Sequence, residues 1–413
     1  MAAETITTTC AIAGGGPAGM MLGFLLARAG VDVVVLEKHA DFLRDFRGDT
    51  IHPSTLEVMH ELGILDAFLK RPHQDVRELS ALIGDERIVL ADFSHLPTRC
   101  RFIALMPQWD FLDFLADEAR RYPNFHLRMR AQVTDLIMEQ GRVLGLYAQT
   151  PEGPLEIRAD LVVGADGRHS DVRERAELKV EDFGAPMDVL WFRLPKRAHD
   201  DQQPLGRILA GVVFVTLDRG DYWQCAYVIP KGGFNVLRSK GLEAFRAAIA
   251  SLNAQFADRV DEIGSWDDVK LLTVTVDRLK RWYREGALCI GDAAHAMSPI
   301  GGVGINLAIQ DAVAAANILW EALRKGEAPV DLLAKVQARR EWPTKMMQAV
   351  QLFVQKRIIS NVLTMTERPR PPFVVTLFSR FPFLRRIPAR LVGMGFRPEH
   401  VHSPELPPRH ART

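Results

Sequence analysis

The stretch Thr7 to Glu37, TTTCAIAGGGPAGMMLGFLLARAGVDVVVLE, constrains the fold of this 413-residue chain more than any other. Thr8 to Ala13 is a short, mostly apolar run suited to a buried parallel strand. Gly14, Gly16 and Gly19 follow in the spacing G-x-G-x-x-G. The first permits a tight turn, the second a close backbone approach to a pyrophosphate, and the third close packing of helix on strand. A helix from about Pro17 to Ala29 then aims its free N–H groups at the phosphates, and Gly30 stops it. Val31 to Leu36 reads as a second strand, and Glu37 at its end is placed to accept hydrogen bonds from ribose hydroxyls. The order strand, turn, helix, strand, acid predicts a dinucleotide site. It leaves FAD and NAD(P) both open.

Composition narrows the class. With 52 basic and 51 acidic residues, no global field draws the chain to nucleic acid. Cys10, Cys100, Cys225 and Cys289 are scattered, without zinc or disulfide spacing, which fits a reducing, cytoplasmic setting and no metal. Neither a signal peptide nor a transmembrane run is predicted.

Further signals recur along the chain. The loop after the second strand holds Arg47, placed to neutralise pyrophosphate charge, and His52, which either faces substrate or cofactor or is a loop histidine bonded to backbone. Pro53 opens a helix ending at Gly63, and residues 76 to 102 read as a hairpin. Gln108 precedes a helix and can cap it or bond a cofactor. Ala159 to Ala165 is a buried strand running into Asp166-Gly167-Arg168, an acid where ligands bind in an open sheet. Residues 184 to 276 look like a second domain, with strands Val189–Leu194, Gly211–Asp218, Tyr222–Pro230, Gly233–Leu237 and Leu271–Val276. Of its aromatics, Trp191, Phe192, Phe214, Tyr222, Trp223, Tyr227 and Phe234, several are expected to line one sheet face; most read equally as ordinary core residues, and the aromatic-rich sheet suggests a planar or apolar ligand. Gly286 to Gly291 is another buried strand, followed by Asp292, Pro299 and the glycines before a long apolar helix. Pro343 to Thr364 is an amphipathic helix candidate, and the residues after Glu399 read as a loose tail. Between them lies an arm carrying Arg380, Arg385, Arg386, Arg390 and Arg397 among Phe, Leu and Val. Such an arm either packs on the protein or touches an acidic membrane surface.

Three motifs now stand in order: Gly14–Gly19 with Glu37, Gly164–Gly167, and Gly291-Asp292 with Pro299–Asn306. Together they resemble the FAD-dependent monooxygenases of the para-hydroxybenzoate hydroxylase type. The resemblance covers residues 8 to 330 and is weaker in the second domain. It implies an α/β fold: a Rossmann-like FAD-binding domain (1–75, 106–183 and 277–330) and a mostly antiparallel β-sheet substrate domain (76–105 and 184–276). C-terminal helices and a tail (331–413) complete it.

The implied cofactor residues are Gly14, Gly16, Pro17, Ala18, Gly19, Glu37, Lys38, Arg47, Gln108, Val133, Asp166 and Asp292, with Gly302, Val303, Gly304, Ile305 and Asn306 at the last helix. Pro299 is expected beside the flavin ring, with His52 and Tyr222 as candidate bases. Val303 stands where many members have Gln. The implied reaction is hydroxylation of an aromatic small molecule through a flavin hydroperoxide, using FAD, NADPH or NADH, and dioxygen. The alternatives are a flavin-dependent reductase acting on an isoprenoid lipid, a halogenase, or a non-catalytic FAD-binding protein.

Overall fold

The computed structural model describes residues 4–43, 50–200, 206–367, 369 and 371–408. The opening stretch folds as strand β1 (Glu4–Ala13), helix α1 (Pro17–Arg28) and strand β2 (Val33–Glu37). Pro17 sits at the helix start, where its missing N–H costs nothing. Strand β3 (Gly153–Gly164) lies parallel to β1 on its other side, and Ala287–Cys289 lies parallel to β3. Ala13 pairs with Leu36 and with Gly164, and Gly164 pairs with Cys289. Four parallel strands therefore end together at one edge of the eight-stranded sheet. Each of the three motifs leaves the sheet at that edge, which is why residues so distant in sequence share one site.

A seven-stranded sheet lies beyond. Its order is Lys270–Leu272, β4 (Met187–Pro195), β6 (Tyr222–Pro230), β5 (Val212–Asp218), Gly206–Leu209, Glu78–Ile83 and Glu86–Asp92. The hairpin of residues 78–92 joins through a parallel pairing with Gly206–Leu209. Strand alternation divides the side chains between two faces. Phe192, Phe214, Trp223 and Tyr227 point to the back, into a core with Phe245 and Phe256. The front carries Val189, Trp191, Val213, Ala226 and Val228, packed with Ile300, Ile359 and Val362. Most of the domain's aromatics thus do share a face, but it is the back one, a core roofed by helix Leu242–Leu252. They do not supply a planar ligand surface.

Helix α2 (Pro53–Glu61), helix α3 (Gly304–Arg324) and helix α4 (Val330–Val354) complete the frame, with α1 against α3 and α3 against α4. The segment Ile300–Arg324 is long and apolar enough to cross a membrane, but 78% of its apolar window is buried inside the fold. It is a core helix.

Local expectations differ from the structure in four places, one of them, the helix over Pro343–Thr364, only in being continuous with the helical chain from Val330. Gly233–Leu237 belongs to a helical turn, Phe234–Ser239, because Gly232 at φ +72 turns the chain after β6. The strand expected over Leu271–Val276 pairs only at Lys270–Leu272. Helix α4 starts at Val330 and runs through Pro343, then passes into a π-helical turn, Gln355–Ile359, and Ser360–Thr364. The described residues after Glu399, 400–408, are tied down. His402 and Ser403 donate backbone N–H bonds to Asn317 Oδ1, and Leu406 N donates to Arg28 O.

The arm packs on the protein through helix α5 (Arg386–Met394), whose Ala389 and Gly393 are buried. Ala389 joins a core with Phe93, Leu96 and Leu217. Phe373, Phe381, Phe383 and Ile387 remain exposed.

Candidate FAD site

The glycines of the first turn are dictated by contact. Gly14 has φ +103, and a Cβ there would lie 2.4 Å from Ala165 O. A Cβ on Gly19 would lie 2.0 Å from Gly14 O. A Cβ on Gly16 would meet nothing within 4 Å, so the turn is open above the α1 N-terminus. The unpaired N–H groups of α1 face that opening, with no acidic residue in its first turn. Glu37 is held at the rim: its Oε2 accepts from Gly15 N (3.1 Å) and its Oε1 from His39 N (3.0 Å). Pro17 and buried Ala18 form the first turn of α1, and exposed Lys38 follows Glu37.

The second and third motifs touch. Arg168 Nε donates to Asp292 Oδ2 at 3.2 Å, with Asp292 about one-third exposed. Asp166 lies behind them. Burial raises its carboxyl above the ordinary range, and Oδ2 accepts from Val172 N at 3.2 Å, which ties this loop to the next helical turn. Pro299 precedes Gly301 and Gly302, at φ +78 and +63, and a Cβ on Gly302 would lie 2.4 Å from Thr50 Oγ1. Thr50 Oγ1 instead donates to Gly302 O (2.9 Å). Gly304 opens α3, and a Cβ there would meet nothing within 4 Å. Val303 is buried with Leu307 and Met347, and Ile305 joins the main core. Only the backbone at these two positions is offered to a ligand, so Val in place of Gln costs no donor. Two open, glycine-lined helix N-termini and two rim carboxylates on one sheet edge fit a dinucleotide carrying a ribityl chain.

Asn306 is turned inward: its Oδ1 accepts from His52 N (3.0 Å) and Thr55 Oγ1 (2.7 Å). It straps α2 to the start of α3. Gln108 is half-buried at the first position of its helix. Val133 is buried in a strand two residues beyond Ala131, whose N–H bonds Glu37 O. Arg47 lies outside the described residues.

Of the two candidate bases, His52 takes its other expected role, a histidine bonded to backbone. His52 is fully buried, its Nδ1 lies 2.7 Å from Val392 O, and burial pushes its pKa down to about 4. The ring is therefore neutral, and Nδ1–H donates to the arm. A base so far below neutral is poorly matched to a phenol; the geometry instead makes His52 a latch between α2 and α5. Tyr222 shares the front face with Ala226, four residues along β6, with Arg193 stacked over its ring at 4.7 Å. Four residues of strand span about 13 Å, which places Tyr222 at the rim.

The sign of the His52 effect on stability is fixed. The unfolded ring takes a proton near 6.5, the folded one only near 4, so stability is full above 6.5 and falls as pH drops between them. The loss is about 3 kcal/mol. Unfolding midpoints measured across this range are expected to lose that component of the slope in His52→Gln.

Sequence reasoning passed over two groups. One is a buried charge cluster: Asp311 accepts from Arg340 Nε (3.0 Å), Gly291 N (3.0 Å) and pairs with His295 Nε2 (2.6 Å). Arg340 also meets Glu399 at 3.2 Å. The other is a row of buried glutamines, Gln348, Gln351 and Gln355, spaced i, i+3, i+7 from the end of α4 into the π turn. That spacing of amides on one helix face was the available signal.

Known proteins resemble the chain on the same terms. A family profile described as "FAD binding domain" matches residues 7–350. The chain is 33% identical to 6-methylpretetramide 4-monooxygenase of Streptomyces rimosus, over 94% of this chain and 93% of that one. Among solved structures, p-nitrophenol 4-monooxygenase from Pseudomonas putida superposes with a TM-score of 0.75 at 20% identity, over 95% of this chain and all of that one. A myxobacterial chondrochloren halogenase superposes with a TM-score of 0.73 at 18% identity, over 93% of this chain and 90% of that one. At those identities the two structures show a shared fold.

Proposed function

We propose, for a chain that belongs to the FAD-dependent aromatic monooxygenases, that its substrate is an aromatic small molecule held between the front of the seven-stranded sheet and the Pro299 loop. The observation that carries this reading is the common edge at which Gly14, Glu37, Asp166 and Asp292 leave the parallel sheet. Bound FAD supplies the redox and oxygen-transfer chemistry. In balance, a substrate C–H, dioxygen, NAD(P)H and a proton give C–OH, water and NAD(P)+.

The chain's own residues bind, orient and shelter. The α1 N-terminus would hold the pyrophosphate, Glu37 the adenosine ribose, and Asp292, steadied by Arg168, the ribityl region. The α3 N-terminus would offer positive partial charge to a bound flavin. On the front face Val189, Trp191, Ala226 and Val228 give an apolar wall that excludes water from the reacting atoms.

The test is purification followed by assay. The protein should retain flavin, and its NAD(P)H oxidation should rise with a suitable aromatic, 6-methylpretetramide first, giving a product with one added oxygen. Absence of flavin would overturn the reading; a halide-dependent product would replace it with the halogenase alternative.

Membrane contact by the arm is a separate proposal. From Arg368 to Pro398 there are seven arginines and no acid. Exposed Phe381, Phe383 and Ile387 lie among exposed Arg380, Arg386 and Arg390. The protein should float with vesicles rich in anionic phospholipid and not with neutral ones; equal behaviour with both would leave the arm as a packed cover only.

A further inference from the structure

The backbone from Ala296 to Ile300 is gripped from α4 by a ladder of amides. Gln348 Nε2 donates to Ala296 O (3.2 Å) and Asp277 O (2.7 Å). Gln351 grips the next residues: its Oε1 accepts from Ser298 N (3.1 Å), while its Nε2 donates to Ser298 O (2.9 Å) and Ile300 O (2.8 Å). Gln355, at the start of the π turn, donates Nε2 to Ser298 Oγ at 2.6 Å. All three side chains are buried, with exposures of 1%, 2% and 0%.

The Gln351 amide therefore binds the residues on both sides of Pro299. The far side of the same loop presents Ile300 to Trp191, Val189 and Ala226 on the front of the antiparallel sheet. The loop is thus the partition between the cofactor edge and the sheet, and Gln351 alone makes three of the bonds that set its depth around Pro299. Buried amide bonds are individually worth about 1 kcal/mol, yet leaving the buried loop groups unsatisfied costs more. A peptide carrying glycines at 301 and 302 has little stiffness of its own.

We infer that Gln351 is a positioning residue, which sets the separation between the flavin ring and the substrate by holding Ser298 and Ile300. This rests on the proposed placement of the ring beside Pro299. Gln351 touches neither reactant. Its loss loosens the partition without touching the glycine cradle at Gly14–Gly19, so cofactor stays bound while oxygen transfer becomes unproductive. Dioxygen is then reduced without substrate: NAD(P)H, dioxygen and a proton give NAD(P)+ and hydrogen peroxide.

Two variants test this in the full-length protein. Gln351→Met keeps length and removes all three bonds. Gln351→Glu keeps the acceptor for Ser298 N–H but sets a carboxylate against two carbonyl oxygens. In both, flavin content should equal the parent's, the visible circular dichroism of the bound flavin should change, and product per NAD(P)H oxidised should fall by about tenfold. The Glu variant adds a readout that a purely structural role would not move. As pH falls, its carboxyl takes a proton and regains one donor, so its product yield, relative to the parent at each pH, should recover; the Met variant's should not. An unchanged flavin spectrum and yield in the Met variant would overturn the inference. So would flavin loss in both variants, which would assign Gln351 to cofactor retention. Absence of flavin from the parent itself would instead overturn the function reading, before any variant is compared.

Discussion

Gly14→Ala is expected to abolish flavin retention and to destabilise the protein by roughly 3 kcal/mol or more. The size follows from two independent costs at one residue. The backbone is at φ +103, where any side chain is strained, and the new methyl would lie 2.4 Å from Ala165 O. Neither neighbour yields easily. Gly14 N bonds Leu36 O, and Ala165 N bonds Ala13 O, so both sides of the contact are fixed by the sheet. Relief requires the Asp166 loop to move from the turn, which separates the first motif from the second. Flavin absorbance per protein after gel filtration, with the thermal midpoint, checks the outcome. Retention of flavin with a midpoint near the parent's would show that the turn tolerates a side chain and that the cradle is not the binding element. Gly16→Ala is the instructive contrast: a Cβ there meets no protein atom within 4 Å, so its stability should hold while flavin affinity falls.

The second large effect is expected from Arg340→Met. Asp311 and Arg340 are fully or almost fully buried, and Glu399 is 6% exposed. Removing the guanidinium leaves the buried Asp311 carboxylate without a permanent cation, while Glu399 keeps Arg339 at 2.7 Å, a loss of about 3–5 kcal/mol. The pH dependence has a definite sign. Burial pushes the Asp311 carboxyl up, but His295 and Arg340 outweigh it and hold it below the ordinary range. In the parent this stabilisation is present above the unfolded carboxyl's range and is lost as pH falls through the lowered folded value. Without the permanent charge of Arg340 the carboxyl takes its proton at higher pH than in the parent, so the variant's deficit should shrink as pH is lowered through that range. Adding Asp311→Asn should recover part of the loss at neutral pH. The site should respond too. Asp311 receives Gly291 N–H, next to Asp292, so flavin affinity should fall with stability. A variant as stable as the parent would show that the cluster contributes no net stability here.

How much of this was legible in the chain depends on the range of the interactions. The Gly14–Gly19 turn was readable because its constraint is local: φ, a close carbonyl and a helix start all act within a few residues. The convergence of Glu37, Asp166 and Asp292 was readable because a parallel strand that ends on an acid carries its ligand-side address with it. The inward turn of Asn306 was not, since its partners His52 and Thr55 are some 250 residues away in sequence. His52 read as a loop histidine near the cofactor; its actual partner, Val392, belongs to an arm that no local pattern connects to it. The aromatics of the second domain were correctly grouped on a face. Alternation alone does not say which face a helix will roof, and helix Leu242–Leu252 roofs theirs. The tail after Glu399 looked unstructured because it has no periodicity, yet Asn317 and Arg28 hold its backbone one bond at a time.

We propose that the common edge of four strands holds FAD for transfer of one oxygen atom to an aromatic compound. Turnover of the purified protein under isotopically labelled dioxygen, with NAD(P)H and a substrate that stimulates its oxidation, tests this most directly. One labelled oxygen is expected in the product, incorporated only when flavin is bound. Product oxygen drawn from water, or labelled product formed equally well by flavin-free protein, would contradict it.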